Sequence, residues 1–172
     1  MVEASNRISA TGDSCGGVIE VIVTGAPTGL GEPVFCKLDA ELGRMLGIGA
    51  VKAVEVGAGV AVKNMTGSQS NDQMRSEKGR VVFDSNNAGG ITGGLSTGQP
   101  IIVRLTVKPT PTIDKPQKTI DKYTLENKQL AAITRRDATI VGRIWPVAEN
   151  YTAMVILDNL FMHYGYQVLK NK

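Results

Sequence analysis

The order of apolar and polar stretches predicts an α+β or layered α/β fold. Three observations carry that expectation. Runs rich in Val and Ile, of strand length, recur at 17–24, 50–56 and 101–107. Helical periodicity is confined to two stretches, one opening at Glu32 and Pro33 and the other at Pro146. The connections between them are long and polar, and many of the 20 glycines fall there.

Residues 1–15 are polar and are expected to be poorly ordered unless docked, which divides the chain into a 1–15 segment and one domain over 16–172. Gly17 to Thr24 (GVIEVIVT) reads as a strand, and Gly25 to Gly31 as a loop. Glu32 and Pro33 suit a first helical turn, because Pro has no N–H to leave unpaired and Glu favours the positive helix end. Phe35, Leu38, Leu42 and Met45 would form the buried face of that helix, and Gly47 and Gly49 would stop it. Ala50 to Val56 reads as a strand leading into a Gly57-Ala-Gly59 turn.

Thr66 to Arg80 has almost no apolar residues and reads as a surface excursion. Val81 to Phe83 is a short strand, and Asn86 to Gly98 is glycine-rich with little charge. Ile101 to Val107 is a strong strand, followed by a proline-punctuated loop from Lys108 to Lys118. Residues 119–134 read as a hairpin or loop, and Ile140 to Ile144 as a short apolar strand. From Pro146 a helix is expected, with Val147, Met154, Leu157, Phe161 and Tyr164 sharing one face and Tyr151, Val155 and Asp158 flanking it.

Composition excludes several classes. A chain that is 42% hydrophobic and 20% charged is globular rather than disordered. A net charge of +3, without basic residues interleaved with aromatics, argues against nucleic acid as a partner. No apolar run has the length of a membrane span, and the N-terminus lacks a signal-peptide core. Cys15 and Cys36 are not a C-x-x-C pair, and 172 residues can build a core without a disulfide, so a cytoplasmic location is expected.

Acid–base chemistry has few candidates. His163 is the sole histidine and reads as a surface or packing residue. No cluster of His, Cys and carboxylates suggests a metal, and no Gly-x-Ser-x-Gly elbow is present. Phosphate binding fits better. The Asn86–Gly98 stretch offers backbone amides but lacks the Gly-Lys-Ser/Thr ending of a P-loop, so turn-building glycines are its plain reading. Lys108-Pro-Thr-Pro-Thr112 is either a stiff holder for an anionic ligand or a rigid surface turn. Arg135, Arg136 and Asp137 read by default as a solvated charge cluster.

Taken in register, these segments resemble the chorismate synthase family. The residues that carry the resemblance are Gly12-Asp-Ser-Cys-Gly-Gly17, Gly25-Ala-Pro-Thr-Gly-Leu-Gly-Glu-Pro-Val-Phe35, Lys37-Leu-Asp-Ala40, Ala50-Val-Lys-Ala-Val-Glu-Val-Gly57 and Gly67-Ser68. It continues through Ser85-Asn-Asn-Ala-Gly-Gly-Ile-Thr-Gly-Gly-Leu-Ser-Thr-Gly98, Val107-Lys-Pro-Thr-Pro-Thr-Ile113 and Pro146-Val147 with Glu149.

The resemblance implies an α+β fold in which helices lie between antiparallel sheets, a layered β-α-β sandwich, with this chain similar to its second half. It implies reduced FMN as cofactor and 5-enolpyruvylshikimate 3-phosphate as substrate, from which phosphate is lost by 1,4-elimination to give chorismate. Carried over by position, the flavin contacts would be Gly49, Ala50, Gly93, Lys108, Pro109, Thr110, Pro111, Thr112 and Arg135, and Asp137 would assist proton transfer. The family is usually homotetrameric, so a homo-oligomer or pairing with an amino-terminal half is expected.

The chain departs from the family's Gly-Arg-His-Asp-Pro-Cys motif, with Thr134-Arg-Arg-Asp-Ala-Thr139 in its place. The family's catalytic histidines and main substrate arginines have no counterpart here. The alternative expectation is therefore a non-catalytic relative that binds an anionic ligand or a full-length partner.

Overall fold

The computed structural model describes residues 2–132 and 137–170. Its centre is a three-stranded antiparallel sheet of β1 (Gly17–Val23), β2 (Val51–Val56) and β7 (Ile101–Val107), in the order β1-β7-β2. β7 is therefore the middle strand. Its register runs from Gly17 opposite Val107 to Val23 opposite Ile101 on one side. On the other side Val51 and Ala53 pair around an irregularity that keeps β2 in step.

The period-two pattern of IIVRLTV decides which face is inward. Ile101, Val103, Leu105 and Val107 are buried, while Ile102, Arg104 and Thr106 alternate outward. Each fully buried aliphatic side chain contributes about 1.5–3 kcal/mol. Two helices cover this face: α2 (Leu38–Gly43), continued by a 3-10 turn at Arg44–Gly47, and the long α4 (Val141–Lys170). Leu38, Leu42 and Met45 seal the core from one, and Val141, Ile144, Ala148, Val155 and Ile156 from the other.

Smaller pieces surround this layer. α1 (Val2–Ala10) precedes β1, and α3 (Gly67–Ser70) is closed by a capping box between Thr66 and Gln69. β3 (Met74–Glu77) pairs with β4 (Arg80–Phe83), β5 (Ile91–Thr92) with β6 (Leu95–Ser96), and β8 (Gln117–Ile120) with β9 (Asn127–Leu130). The carboxylate of Asp121 closes the β8–β9 turn. The Lys128 ammonium at 2.7 Å and the N–H groups of Thr124 and Tyr123 hold its pKa at about 2.

The α+β expectation holds, and three local expectations change. The polar segment at the start forms α1, and residues 12–15 behind it are docked on the loops after β7. The helix expected from Glu32 begins only at Leu38. Residues 32–36 instead form a turn bridged between Glu32 and Cys36, and Phe35 is 93% exposed. The apolar stretch 140–144 is not a strand but the first turn of α4, which places Pro146 inside the helix. Pro146 there has no N–H to donate within the helix, and its carbonyl accepts the Asn150 Nδ2–H at 2.7 Å.

The residues expected to share a face of α4 do so, on the side turned away from the core. Ala148, Thr152, Val155, Ile156 and Asn159 face the core, whereas Val147, Met154, Leu157, Phe161 and Tyr164 are exposed. Small residues at 148 and 152 let the helix approach the sheet, and the bulkier stripe is left on the other side.

Ser96 is a buried polar staple. Its Oγ accepts the Leu30 N–H at 2.9 Å and donates to the Pro27 carbonyl at 2.6 Å, fixing the 25–31 loop to β6. Ser96→Ala leaves both groups unpaired in the interior. The expected loss is about 1–3 kcal/mol by urea denaturation.

Candidate functional site

The 108–112 loop leaves the end of β7 and is held from three directions. The Lys108 N–H donates to the Ala50 carbonyl at 2.9 Å, which brings Gly49 and Ala50 against the loop's start. Ala50 has φ 70°, a left-handed conformation costly for a residue with a Cβ. Beneath the loop, Gly16 packs so tightly that a Cβ would lie 2.3 Å from the Val107 carbonyl and 3.2 Å from Pro109 Cδ.

The segment before β1 continues the bracing. Ser14 Oγ donates to the Thr110 carbonyl at 2.6 Å, the Asp114 N–H donates to the Gly12 carbonyl at 2.8 Å, and Lys115 pairs with Asp13 at 2.7 Å. From the far side, Thr110 Oγ1 donates to the Asp137 carbonyl at 2.8 Å and the Cys15 N–H to the Ala138 carbonyl at 2.8 Å. The Asp137 carboxylate is half-buried and pairs with Arg143 at 2.9 Å. Gly49, Ala50, Lys108 to Thr112 and Asp137 thus form one cluster. Arg135 and its neighbour Arg136 lie outside the described residues.

Within the cluster the side chains divide by role. Thr110 is turned inward and its hydroxyl hydrogen is committed to Asp137. Lys108, Pro109, Pro111 and Thr112 are exposed, and the Lys108 ammonium and Thr112 hydroxyl have no partner among the described residues. A cation and a hydroxyl on a proline-stiffened loop suit a phosphate-bearing anion. A Cβ on Gly49 would meet nothing within 4 Å, so space above the backbone is open there.

Gly93 belongs to a second cluster. It sits in the β5–β6 turn with φ +64°, with open space above it. That hairpin is tied to Leu38, whose N–H donates to the Gly94 carbonyl at 3.0 Å, and to Gly31, where a Cβ would fall 2.2 Å from the same oxygen. A groove of about 640 Å³ runs beside this hairpin, lined by Thr28, Asp72, Thr92, Leu95 and Thr97 among others. It does not border the Lys108 loop.

Three residues support these clusters without having been singled out in sequence: Ser14 and Ser96, which lie within segments that carry the family resemblance, and Asp72, which lies outside them. Asp72 lies in the polar 66–80 excursion yet organises the turn after β4. Its carboxylate accepts Ser85 Oγ at 2.6 Å, the Asn87 N–H at 2.7 Å and the Ala88 N–H at 2.8 Å. Partial burial opposes its ionisation, but these hydrogen bonds outweigh that and hold its pKa below the ordinary 3.8. A depressed folded-state pKa stabilises the fold above the unfolded value and ceases to do so as pH falls through the folded value. The melting temperatures of the natural chain and Asp72→Asn should therefore differ at pH 7 and converge on acidification below about pH 4.

No group of three His, Cys, Asp or Glu that could hold a metal occurs among the described residues. His163 stacks edge-on against Tyr164, ring centroids 5.3 Å apart, near Gly29. No helix among the described residues is long and apolar enough to cross a membrane.

Comparison with known proteins agrees with this architecture. The family model described as chorismate synthase matches residues 1–161. Chorismate synthase of Acetivibrio thermocellus is 47% identical over 174 residues, which cover 99% of this chain and 44% of that protein. Chorismate synthase of Methanosarcina barkeri is 48% identical, covering 93% of this chain and 44% of that protein. A crystal structure of chorismate synthase superposes with a TM-score of 0.74 at 29% identity, over 94% of this chain and 42% of that one. The chain therefore spans less than half the length of these relatives. With a family match over nearly all of its residues and the same fold, the chain belongs to the chorismate synthase family.

Proposed function

We propose that this chain supplies the carboxyl-terminal part of a chorismate synthase-type site. The site binds reduced FMN and eliminates phosphate, anti-1,4, from 5-enolpyruvylshikimate 3-phosphate to give chorismate, in the cytoplasmic shikimate pathway to aromatic amino acids. It is completed by an amino-terminal half. The observation that carries this reading is the bond from Lys108 to Ala50, which gathers the Lys-Pro-Thr-Pro-Thr loop and the Gly49–Ala50 corner into one anion-receptive surface.

Lys108 would pair with the phosphate of the flavin, Thr112 would donate its hydroxyl, and Pro109 and Pro111 keep the loop from collapsing. Gly49 and Gly93 leave the backbone open to close approach. Arg135 would add a second cation. Thr110 and Arg143 fix the backbone and carboxylate of Asp137, the residue proposed to hold a proton near the flavin ring. Reduced flavin supplies transient electron density to the elimination and is not consumed.

The test is an anaerobic titration of reduced FMN into this chain mixed with a separately expressed amino-terminal half of a relative. Saturable binding by the mixture, above that of the amino-terminal half alone, is expected. If the chain adds nothing to flavin binding, the reading fails.

One observation favours a second reading. Arg136 stands where the family has a histidine, and arginine keeps its charge and cannot shuttle protons. In that reading the chain is a non-catalytic relative that holds an anionic ligand or a full-length partner. Flavin and substrate would then bind without any chorismate being formed.

A further inference from the structure

Residues 12–16 join α1 to β1 without helix or strand. Each of them is engaged by one of the two segments that carry the proposed site. On the loop after β7, the Asp114 N–H donates to the Gly12 carbonyl, Lys115 pairs with Asp13, and Ser14 Oγ donates to the Thr110 carbonyl. Gly16 lies against Val107 and Pro109 with no room for a Cβ. On the other segment, the Ala138 carbonyl accepts the Cys15 N–H. An irregular connection ordinarily satisfies its backbone locally or with water. This one is satisfied by segments far along the chain, and it touches both of them.

Thr110 is the meeting point. Its carbonyl accepts the Ser14 hydroxyl at 2.6 Å, and its own hydroxyl donates to the Asp137 carbonyl at 2.8 Å. Asp137 is followed by Ala138, whose carbonyl takes the Cys15 N–H at 2.8 Å, and Cys15 follows Ser14. These hydrogen bonds and the intervening peptide links close a ring through Ser14, Thr110, Asp137, Ala138 and Cys15. Ser14 and Thr110 are both half-buried, so water is a poor replacement for either hydroxyl.

We propose that this ring is the spacer of the site, and that Ser14 is a positioning residue acting through Thr110. Together they fix how far the Lys108–Thr112 loop lies from Asp137, and so how far a flavin held by the loop lies from the carboxylate that serves it. The ring has this role only if the site is read as proposed above. Thr110 then acts by position as well, because its hydroxyl hydrogen is given to Asp137 and not to the ligand.

The ring separates binding from reaction. Lys108 and Thr112 are exposed on the same loop and would hold the anion, and neither side chain belongs to the ring. Loosening the ring leaves their charge and hydroxyl in place. It lets Asp137 drift, and a reacting group misplaced by about 1 Å slows a step by roughly 100-fold. Arg143, 2.9 Å from the Asp137 carboxylate, orients that carboxylate but does not hold its backbone.

Ser14→Ala and Thr110→Val each delete one hydroxyl. With reduced FMN and substrate saturating this chain joined to an amino-terminal half of a relative, each should lower kcat by roughly 10- to 100-fold. The Kd for reduced FMN should move by less than about threefold, as for an interaction that serves the reaction rather than binding. The double variant should be no slower than the slower single, because both break one ring. Thr110→Ser keeps the hydroxyl and should restore most of the rate.

NMR of this chain alone, labelled with nitrogen-15, supplies a readout free of flavin. Exchange of the Cys15 amide hydrogen should quicken by about tenfold in both variants. Unchanged exchange would mean that no coupled ring exists and would overturn the proposal. So would weakened flavin binding with kcat retained, which makes Thr110 a ligand contact, or losses that add in the double variant, which makes the two hydroxyls independent. A natural pair that binds no flavin would overturn it together with the reading of the site. A Cys15 amide that still responds to both variants would then locate the failure in that reading and not in the ring.

Discussion

Gly57→Ala is expected to destabilise the chain by about 3–5 kcal/mol, among the largest effects of any single methyl group here. Gly57 ends β2 with φ +59°, where a Cβ is already strained. That Cβ would also lie 2.2 Å from the Asn87 carbonyl and 2.4 Å from the Gly89 nitrogen. Both are backbone atoms, so no flexible side chain can swing away. The close approach exists because two segments are laced together at this point. The Gly57 N–H donates to the Ile102 carbonyl at 2.9 Å, the Ala58 N–H to the Asn87 carbonyl at 2.8 Å, and Arg104 Nη1 to the Gly57 carbonyl at 2.6 Å. Gly67→Ala is the control, with ordinary φ and nothing within 4 Å of its Cβ, and should change stability by less than about 0.5 kcal/mol. Urea denaturation monitored by circular dichroism measures both.

Lys108→Glu is expected to lower the affinity of the assembled site for reduced FMN by about 100-fold or more. In the proposed site the substitution would remove a charge-assisted contact and place a carboxylate where the flavin phosphate would bind. Stability should hardly change, because the Lys108 side chain is exposed and has no partner among the described residues, while its backbone bond to Ala50 survives. A large loss of binding with an unchanged melting temperature separates a ligand contact from a structural one. A similar loss in Lys108→Ala would point to charge removal as sufficient. Unchanged flavin affinity in Lys108→Glu would exclude this loop from the flavin site.

The central sheet was legible because its strands announce themselves. IIVRLTV is a β-branched, mostly apolar run of strand length, and GVIEVIVT and AVKAVEV are β-branched runs bounded by glycine. Helix boundaries were harder for a physical reason. The Glu32-Pro33 pair satisfies the first-turn preferences, but tertiary pairing of Glu32 with Cys36 and of Leu38 with Gly94 sets the start at Leu38. On α4, two apolar faces share one helix, and periodicity cannot choose which one meets the sheet. Close packing of Ala148 and Thr152 decides that choice, and it appears only once the sheet is in place.

The candidate site shows the same division. Lys108 to Thr112 and Gly49–Ala50 were marked by their motifs, and the structure brings them together through one backbone hydrogen bond. Gly93 was marked equally well but belongs to a separate hairpin. The roles of the residues that hold these pieces in place, Ser14, Asp72 and Ser96, were not legible in sequence, although Ser14 and Ser96 lie within segments that carry the resemblance. Each acts on backbone groups far along the chain, Ser14 on Thr110, Ser96 on Leu30 and Asp72 on Ala88. Small polar side chains with distant partners leave no local pattern to read.

The central proposal is that this chain, joined by an amino-terminal half, completes a chorismate synthase-type site. The most direct measurement is chorismate formation under anaerobic conditions from 5-enolpyruvylshikimate 3-phosphate, reduced FMN, this chain and a separately expressed amino-terminal half of a relative. Chorismate and phosphate are expected in equal amounts only when both halves are present, with the activity abolished by Lys108→Glu at low flavin and partly restored at high flavin. Bound flavin and substrate with no chorismate at any concentration would contradict it.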